Sequence, residues 1–173
     1  MSAIFSPCGL YRYRLDRDLG ITGPVVGFML HNPSTAGIEN DDPTSRRGIG
    51  FGRLWGARKI VYVNPWAGIA TRPDDLWKMD DPIGPENDMH IAAVATEVAE
   101  SGGFFVLAWG YVRPGVARQV AVNQRLKDVE AVIRATGCEV RALAVNKDGS
   151  PGHPLYLRSD TQPLAWPEGF QEP

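Results

Sequence analysis

Four short apolar runs constrain any fold this chain can adopt: VVGFML (25–30), KIVYVN (59–64), FFVLAW (104–109) and EVRALAV (139–145). Each has strand length, and the first three are almost unbroken in apolarity, as strands covered on both faces are. Helix-like segments separate them at about 43–56, about 86–101 and about 115–136. In the last, Val116, Val120, Leu126, Val129 and Ile133 recur at amphipathic spacing, and Gly137 supplies a stop. Strands alternating with helices imply crossovers and parallel pairing. The expectation is an α/β domain, a three-layer αβα sandwich with a four-stranded, mainly parallel sheet.

The flanks read differently. LYRYRLDRD (10–18) alternates apolar and basic residues and predicts an edge strand or hairpin arm. QPLAWPEGFQEP, within an irregular tail at about 159–173, predicts a surface-packed end. Residues 65–85 form a long proline-containing connection, of a length that is often functional inside a compact domain. At 173 residues the chain fits one domain, 1–173.

Charge and composition narrow the class. A 43% apolar and 22% charged composition is ordinary for a globular protein, and no apolar run nears the ~18 residues of a membrane span. The N-terminal stretch lacks the apolar core of a secretory signal, which predicts a cytoplasmic protein with no membrane partner. Cys8 and Cys138 stand far apart, without the spacing of a zinc site and too few for an iron–sulfur cluster, so both are expected as buried, reduced thiols, and no metal or cofactor is expected. Net charge is −2, yet 44–66 carries five basic residues and no acid, and 102–127 carries four and no acid, a segregation that permits a basic face.

Ligands of open α/β sheets bind beyond the carboxyl ends of the strands. Those ends read His31-Asn32-Pro33-Ser34, Asn64-Pro65-Trp66, Trp109-Gly110-Tyr111 and, further on, Gly152-His153-Pro154-Leu155-Tyr156. Amides, histidines and aromatics suit a flat polar heterocycle: an amide matches a donor and acceptor edge, and rings stack on its face.

In the order YRYRLDRD, NPSTAG with DDPT, GIGFGRLWGARKIVYVNPWA, DPIGPEND, AWG and KDGSPGHPLYL, the chain resembles the bacterial and phage family catalogued as domain of unknown function 1643. The series strand-NPS, FGRLWGARKIVYVN, FFVLAWG and GHPLY also resembles the uracil-DNA glycosylase superfamily. That second resemblance implies a glycosylase-like fold and monofunctional cleavage of the N-glycosidic bond of uracil or a modified pyrimidine in DNA, leaving an abasic site. It implies Asn32 as the residue that positions water, Asn64 as the base reader and His153 as the electrophilic partner of the departing base. His31 stands where that superfamily has Gly, and His-Pro-Leu where it has His-Pro-Ser.

Around that core, Asp42 of DDPT is the candidate for added basicity, with Asp41 beside it. Phe51, Trp55 and Trp66 are candidates for an aromatic platform, Trp109 for stacking, and Ser34, Arg46, Arg47 and Arg72 for phosphate contacts. DNA, with the base flipped out, is the expected partner, and no obligate protein partner is evident. Simpler readings stand beside these. Asn-Pro-Ser initiates turns; Asp42 can cap a helix that begins at Pro43; Arg46 and Arg47 suit a solvated helix face; Asn64 can satisfy a loop backbone; and His31 and His90 read as packed or surface histidines. Two other functions also remain open: a hydrolase or transferase on free nucleotides, and a non-catalytic module that binds modified bases.

Overall fold

The structure, a computed structural model, describes residues 1–34 and 36–167. Seven strands form one sheet: β1 (Ser2–Phe5), β2 (Arg12–Asp18), β3 (Val25–Met29), β4 (Lys59–Val63), β5 (Phe104–Leu107), β6 (Glu139–Ala142) and β7 (Leu164–Ala165), ordered β1-β2-β4-β3-β5-β6-β7. The four inner strands β4, β3, β5 and β6 are mutually parallel and are the four apolar runs of the sequence. The four-strand expectation is corrected by β1, β2 and β7, which pair antiparallel at the two sides.

Side-chain alternation divides the core in two. Val25, Met29, Val61, Val63, Phe105 and Leu107 face α3 (Asn87–Glu100) and α4 (Gln119–Ala135), packing on Ile91, Val94, Val98, Leu126, Val129 and Ile133. Val26, Phe28, Ile60, Tyr62 and Val106 face the other way and pack with Phe51 of α1 (Pro43–Leu54). Helices thus cover both faces of a mixed α/β sheet. Each fully buried Val, Leu, Ile or Phe contributes roughly 1.5–3 kcal/mol relative to leaving it exposed. Gly27 sits where β3 meets β5, and a Cβ there would lie 2.6 Å from the Phe105 ring.

Several local expectations shift. β2 is a hairpin arm, as expected, paired antiparallel with β1, but it is not an edge: it lies between β1 and β4, and its charges find partners, Arg14 with Asp16 (2.7 Å) and Glu97 (2.6 Å) and Arg17 with Asp41 (2.7 Å). The register of the β1–β2 hairpin breaks once, since Ile4 faces Arg14 but Phe5 faces Arg12, leaving Tyr13 as the extra residue of a bulge. The long connection after β4 contains a short helix, α2 (Pro73–Leu76). At the start of the fourth helical region, Val116 (96% exposed) lies in a 3-10 turn and Val120 (82% exposed) faces solvent, so the buried stripe is Val122, Leu126, Val129 and Ile133. The tail is irregular except for β7, and Arg134 holds it by donating to the carbonyls of Trp166 and Pro167; the tail beyond 167 lies outside the described residues. Cys138 is buried as expected, whereas Cys8 is exposed. No helix among the described residues is long and apolar enough to cross a membrane.

Candidate functional site

A cavity of about 430 Å³ opens at the carboxyl edge of the parallel strands, within the range of roughly 300–1,000 Å³ usual for small-molecule sites. Three strand exits and the amino end of α1 build it. Behind β3 come His31, Asn32 and Ser34; behind β5 come Trp109, Gly110 and Tyr111; the loop after β6 brings His153 and Tyr156; and Asp42, Thr44 and Ser45 enter from α1. β2 supplies Arg12 and Leu15.

Asn32 is fixed by its own amide nitrogen. Nδ2 donates to Pro33 O and Ala70 O, both at 2.8 Å, while Ala70 N donates back to Pro33 O at 3.0 Å. Both amide protons are thereby committed, and the side chain has Oδ1 left as an acceptor.

His153 is fixed in tautomer as well as position. Its Nδ1 accepts the Leu155 N–H at 3.3 Å, so in the neutral ring the proton sits on Nε2 and makes that atom a donor. Burial holds its pKa below the ordinary histidine value, against an opposing effect of Asp42. The backbone of Gly110, at φ 72°, comes close enough that a Cβ there would stand 3.0 Å from His153 Cβ, and Gly110 N donates to Pro151 O at 3.1 Å. This contact seats the His153 loop directly against the β5 exit.

Asp42 fills two positions at once. As the cap of α1, its Oδ1 accepts from Ser45 N at 2.7 Å, and the residue also lines the cavity. Tyr62, from β4, donates to Ser45 O at 2.7 Å and ties the same helix end to the sheet.

His31, placed by the sequence at a strand exit and read there as a packed or surface histidine, and Arg12, which the sequence did not single out, complete the cavity. His31 lies in the wall with its pKa pushed down to about 4, first by burial and then by His153; its ring meets Trp66 edge-on at 5.4 Å. His31 Nε2 and Trp109 Nε1 are both buried, with no hydrogen-bond partner among the described residues. Arg12, 4% exposed, donates Nη1 to Ala36 O, and burial lowers its pKa to about 10, which keeps it charged at neutral pH. Arg12 is displaced by the bulge at Tyr13, which breaks the alternation that would otherwise have assigned its face.

Other expected residues lie elsewhere. Asn64 is 1% exposed and outside the cavity lining; its carbonyl accepts from Asn87 Nδ2 at 2.9 Å, and Asn87 and Arg125 both donate to Pro65 O. Phe51 and Trp55 are packed in the α1-side core, stacked on each other at 5.4 Å, and Trp66 is buried against Trp77. Arg47 donates to the carbonyls of Pro154 and Leu157, and exposed Arg46 donates to Asp41 O. Trp109 and Ser34 are at the cavity, Asp41 is paired with Arg17, and Arg72 is exposed. The aromatic rings in the wall that reach solvent are Tyr111 and Tyr156. Among the described residues no group of three or more His, Cys, Asp or Glu is placed to hold a metal ion.

Fold and site together define a mixed α/β protein with a polar, histidine-bearing pocket at the exits of its parallel strands. The model of a family described as "Protein of unknown function (DUF1643)" matches residues 12–155, and the chain belongs to that family. No curated protein and no solved structure matches the chain.

Proposed function

We propose that the chain is a hydrolase of uracil-DNA glycosylase type, cleaving the N-glycosidic bond of uracil or a modified pyrimidine in DNA and leaving an abasic site. The observation that carries this reading is the pairing, in one cavity, of a neutral histidine donating from Nε2 with an asparagine whose free atom is an acceptor. Cleavage puts positive charge on the sugar and negative charge on the departing base. His153 Nε2–H stabilises the base oxygen as that charge grows, a contribution of about 10²–10³ in rate for one oriented donor. Asn32 Oδ1 holds the attacking water, and the second carboxylate oxygen of Asp42 accepts its proton. Trp109, Tyr111 and Tyr156 replace Phe51 and Trp66 as the aromatic surfaces around the base. Asn64 lies outside the cavity lining, so base reading is not assigned to it.

One observation favours hydrolysis or transfer on free nucleotides instead. Of the arginines expected to grip phosphates, Arg47 donates to the His153 loop and Arg46 to Asp41 O, and Arg72, though exposed, is not in the cavity lining. The deciding experiment incubates the protein with oligonucleotides bearing uracil, hydroxymethylated or glucosylated pyrimidines, and with the matching nucleosides and nucleotides. Alkali-labile sites in the oligonucleotides support the first reading. Base release from the free compounds alone supports the second, and binding without release identifies a base-binding module.

A further inference from the structure

Arg12 differs from the chain's other buried arginines. Arg17, 1% exposed, donates Nε to Asp41, Nη1 to Asp16 O, and Nη2 to Gly37 O and Asn40 O. Arg125, 7% exposed, donates Nε to Pro65 O and pairs with Asp88 at 2.5 Å. Arg12 makes one side-chain hydrogen bond, to a neutral carbonyl, and no carboxylate among the described residues stands within 4.0 Å of it. Asp42 shares the cavity but lies beyond that distance, with one oxygen held by Ser45 N.

A buried charge offset only at a distance, here by Asp42, and without a direct ion pair is expensive, and a guanidinium cannot escape the cost by losing its proton at neutral pH. The backbone places it there all the same. Tyr13 stacks on His90 of α3 at 4.8 Å and Arg14 pairs with Glu97 of α3, so these two successive residues share the α3 side of the sheet. The bulge at Tyr13 turns Arg12 to the opposite side, where it joins Leu15 in the cavity wall. Bulges beside sites characteristically re-aim a side chain in this way.

We propose that the ligand of this cavity carries an oxyanion, a carboxylate or a phosphate, and that Arg12 receives it. Its position among buried residues of β2, β3 and β4 places that anion at the inner end of the cavity, away from the exposed rings of Tyr111 and Tyr156. A planar guanidinium with free N–H groups offers such an anion two parallel hydrogen bonds. The proposal rests on the reading of the cavity as a nucleotide or nucleobase site, and is independent of which bond is cut.

Calorimetric titration at fixed ionic strength tests it with uracil, uracil-5-carboxylate, 2′-deoxyuridine, its 5′-monophosphate and inorganic phosphate. At least one charged probe is expected to bind about 10- to 100-fold more tightly than its neutral counterpart, the effect of a charge-assisted bidentate contact. Preference for the carboxylate identifies an acidic base as the ligand, and preference for the monophosphate or for phosphate alone identifies a phosphate group. In Arg12→Gln the charged and neutral probes should converge, and in Arg12→Lys the preference should fall about tenfold. Equal binding of charged and neutral probes by the native protein, or no binding of any of the three charged probes, overturns the proposal, and so does a preference unchanged in Arg12→Gln. Should Arg12→Gln fail to fold, Arg12→Lys decides in the same way. Asn32→Ala should keep the preference even if it abolishes base release, so failure of the cleavage reading remains distinguishable from failure of this one.

Discussion

Arg47 on α1 donates to the carbonyls of Pro154 and Leu157, the residues that bracket the short turn after His153. The helix that presents Asp42 and the loop that presents His153 are thereby fastened to one another. Replacing Arg47 by Ala should cost about 1–3 kcal/mol, since it removes charged donors from two part-buried carbonyls, of which Pro154 O keeps only the Leu157 N–H, and should lower activity with the cavity residues themselves intact. Thermal or denaturant melts paired with an activity assay measure both, and a variant of native stability and full activity would show the fastening to be dispensable.

His153→Ala removes the Nε2 donor and should reduce base release by about 10²–10³ with little change in substrate affinity. Single-turnover kinetics separate the two effects. A variant that loses affinity but releases base at the native rate contradicts the assigned role.

Asp42 allows its two duties to be separated by paired substitutions. Asp42→Asn keeps a good helix cap, so its stability should stay within about 0.5 kcal/mol of native while activity falls; Asp42→Ala should lose about 1 kcal/mol as well. Equal activity of Asp42→Asn and the native protein would leave the residue as a cap alone.

Burial holds His31 at about 4 against an ordinary 6.5. Below about pH 6.5 the unfolded chain therefore takes up a proton that the folded chain refuses, and stability falls with pH until about 4. The contribution is complete above 6.5 and, at about 1.4 kcal/mol per pH unit, amounts to roughly 3–4 kcal/mol. Comparing His31→Phe with the native protein by denaturant titration from pH 7 to 4 isolates it from the carboxylates. The native protein should lose stability relative to the variant as pH falls, and a constant difference would mean that His31 is solvated.

Gly27→Ala should be disruptive although alanine is small, because its methyl would meet the Phe105 ring between two central parallel strands. A loss of about 1–3 kcal/mol is expected for such overpacking. Gly37→Ala, at a glycine where a Cβ would meet nothing within 4 Å, is the matched control.

The inner sheet was legible because β3, β4 and β5 are apolar on both faces, which leaves nearly unbroken apolar runs of strand length. β1 and β7 left none: SAIF and LA are short and largely exposed, and they are strands because β2 and β6 offer them a free edge. Asn32, Ser34, Trp109 and His153 could be located from strand ends alone, since a parallel sheet gathers those ends. Asn64 shows the limit of that logic. Which way a strand's last residue turns depends on what packs around it, and Asn64 is buried outside the cavity, where Asn87, distant in sequence, donates to its carbonyl. Arg12 was hidden by one extra residue that shifts the two-residue repeat, and Val116 and Val120 kept helical spacing on a face nothing covers.

The bonds from Asn87 and Arg125 onto the Asn64–Pro65 carbonyls carry a consequence for how the family can diversify. They bolt the start of the connection after β4 to the helices on the far side of the sheet, so changes at the donors 87 or 125 would be felt first as loss of folding. Relatives that evolved a taste for a different ligand should therefore differ at 31–34, 109–111 and 153–156, and keep that distant brace unaltered.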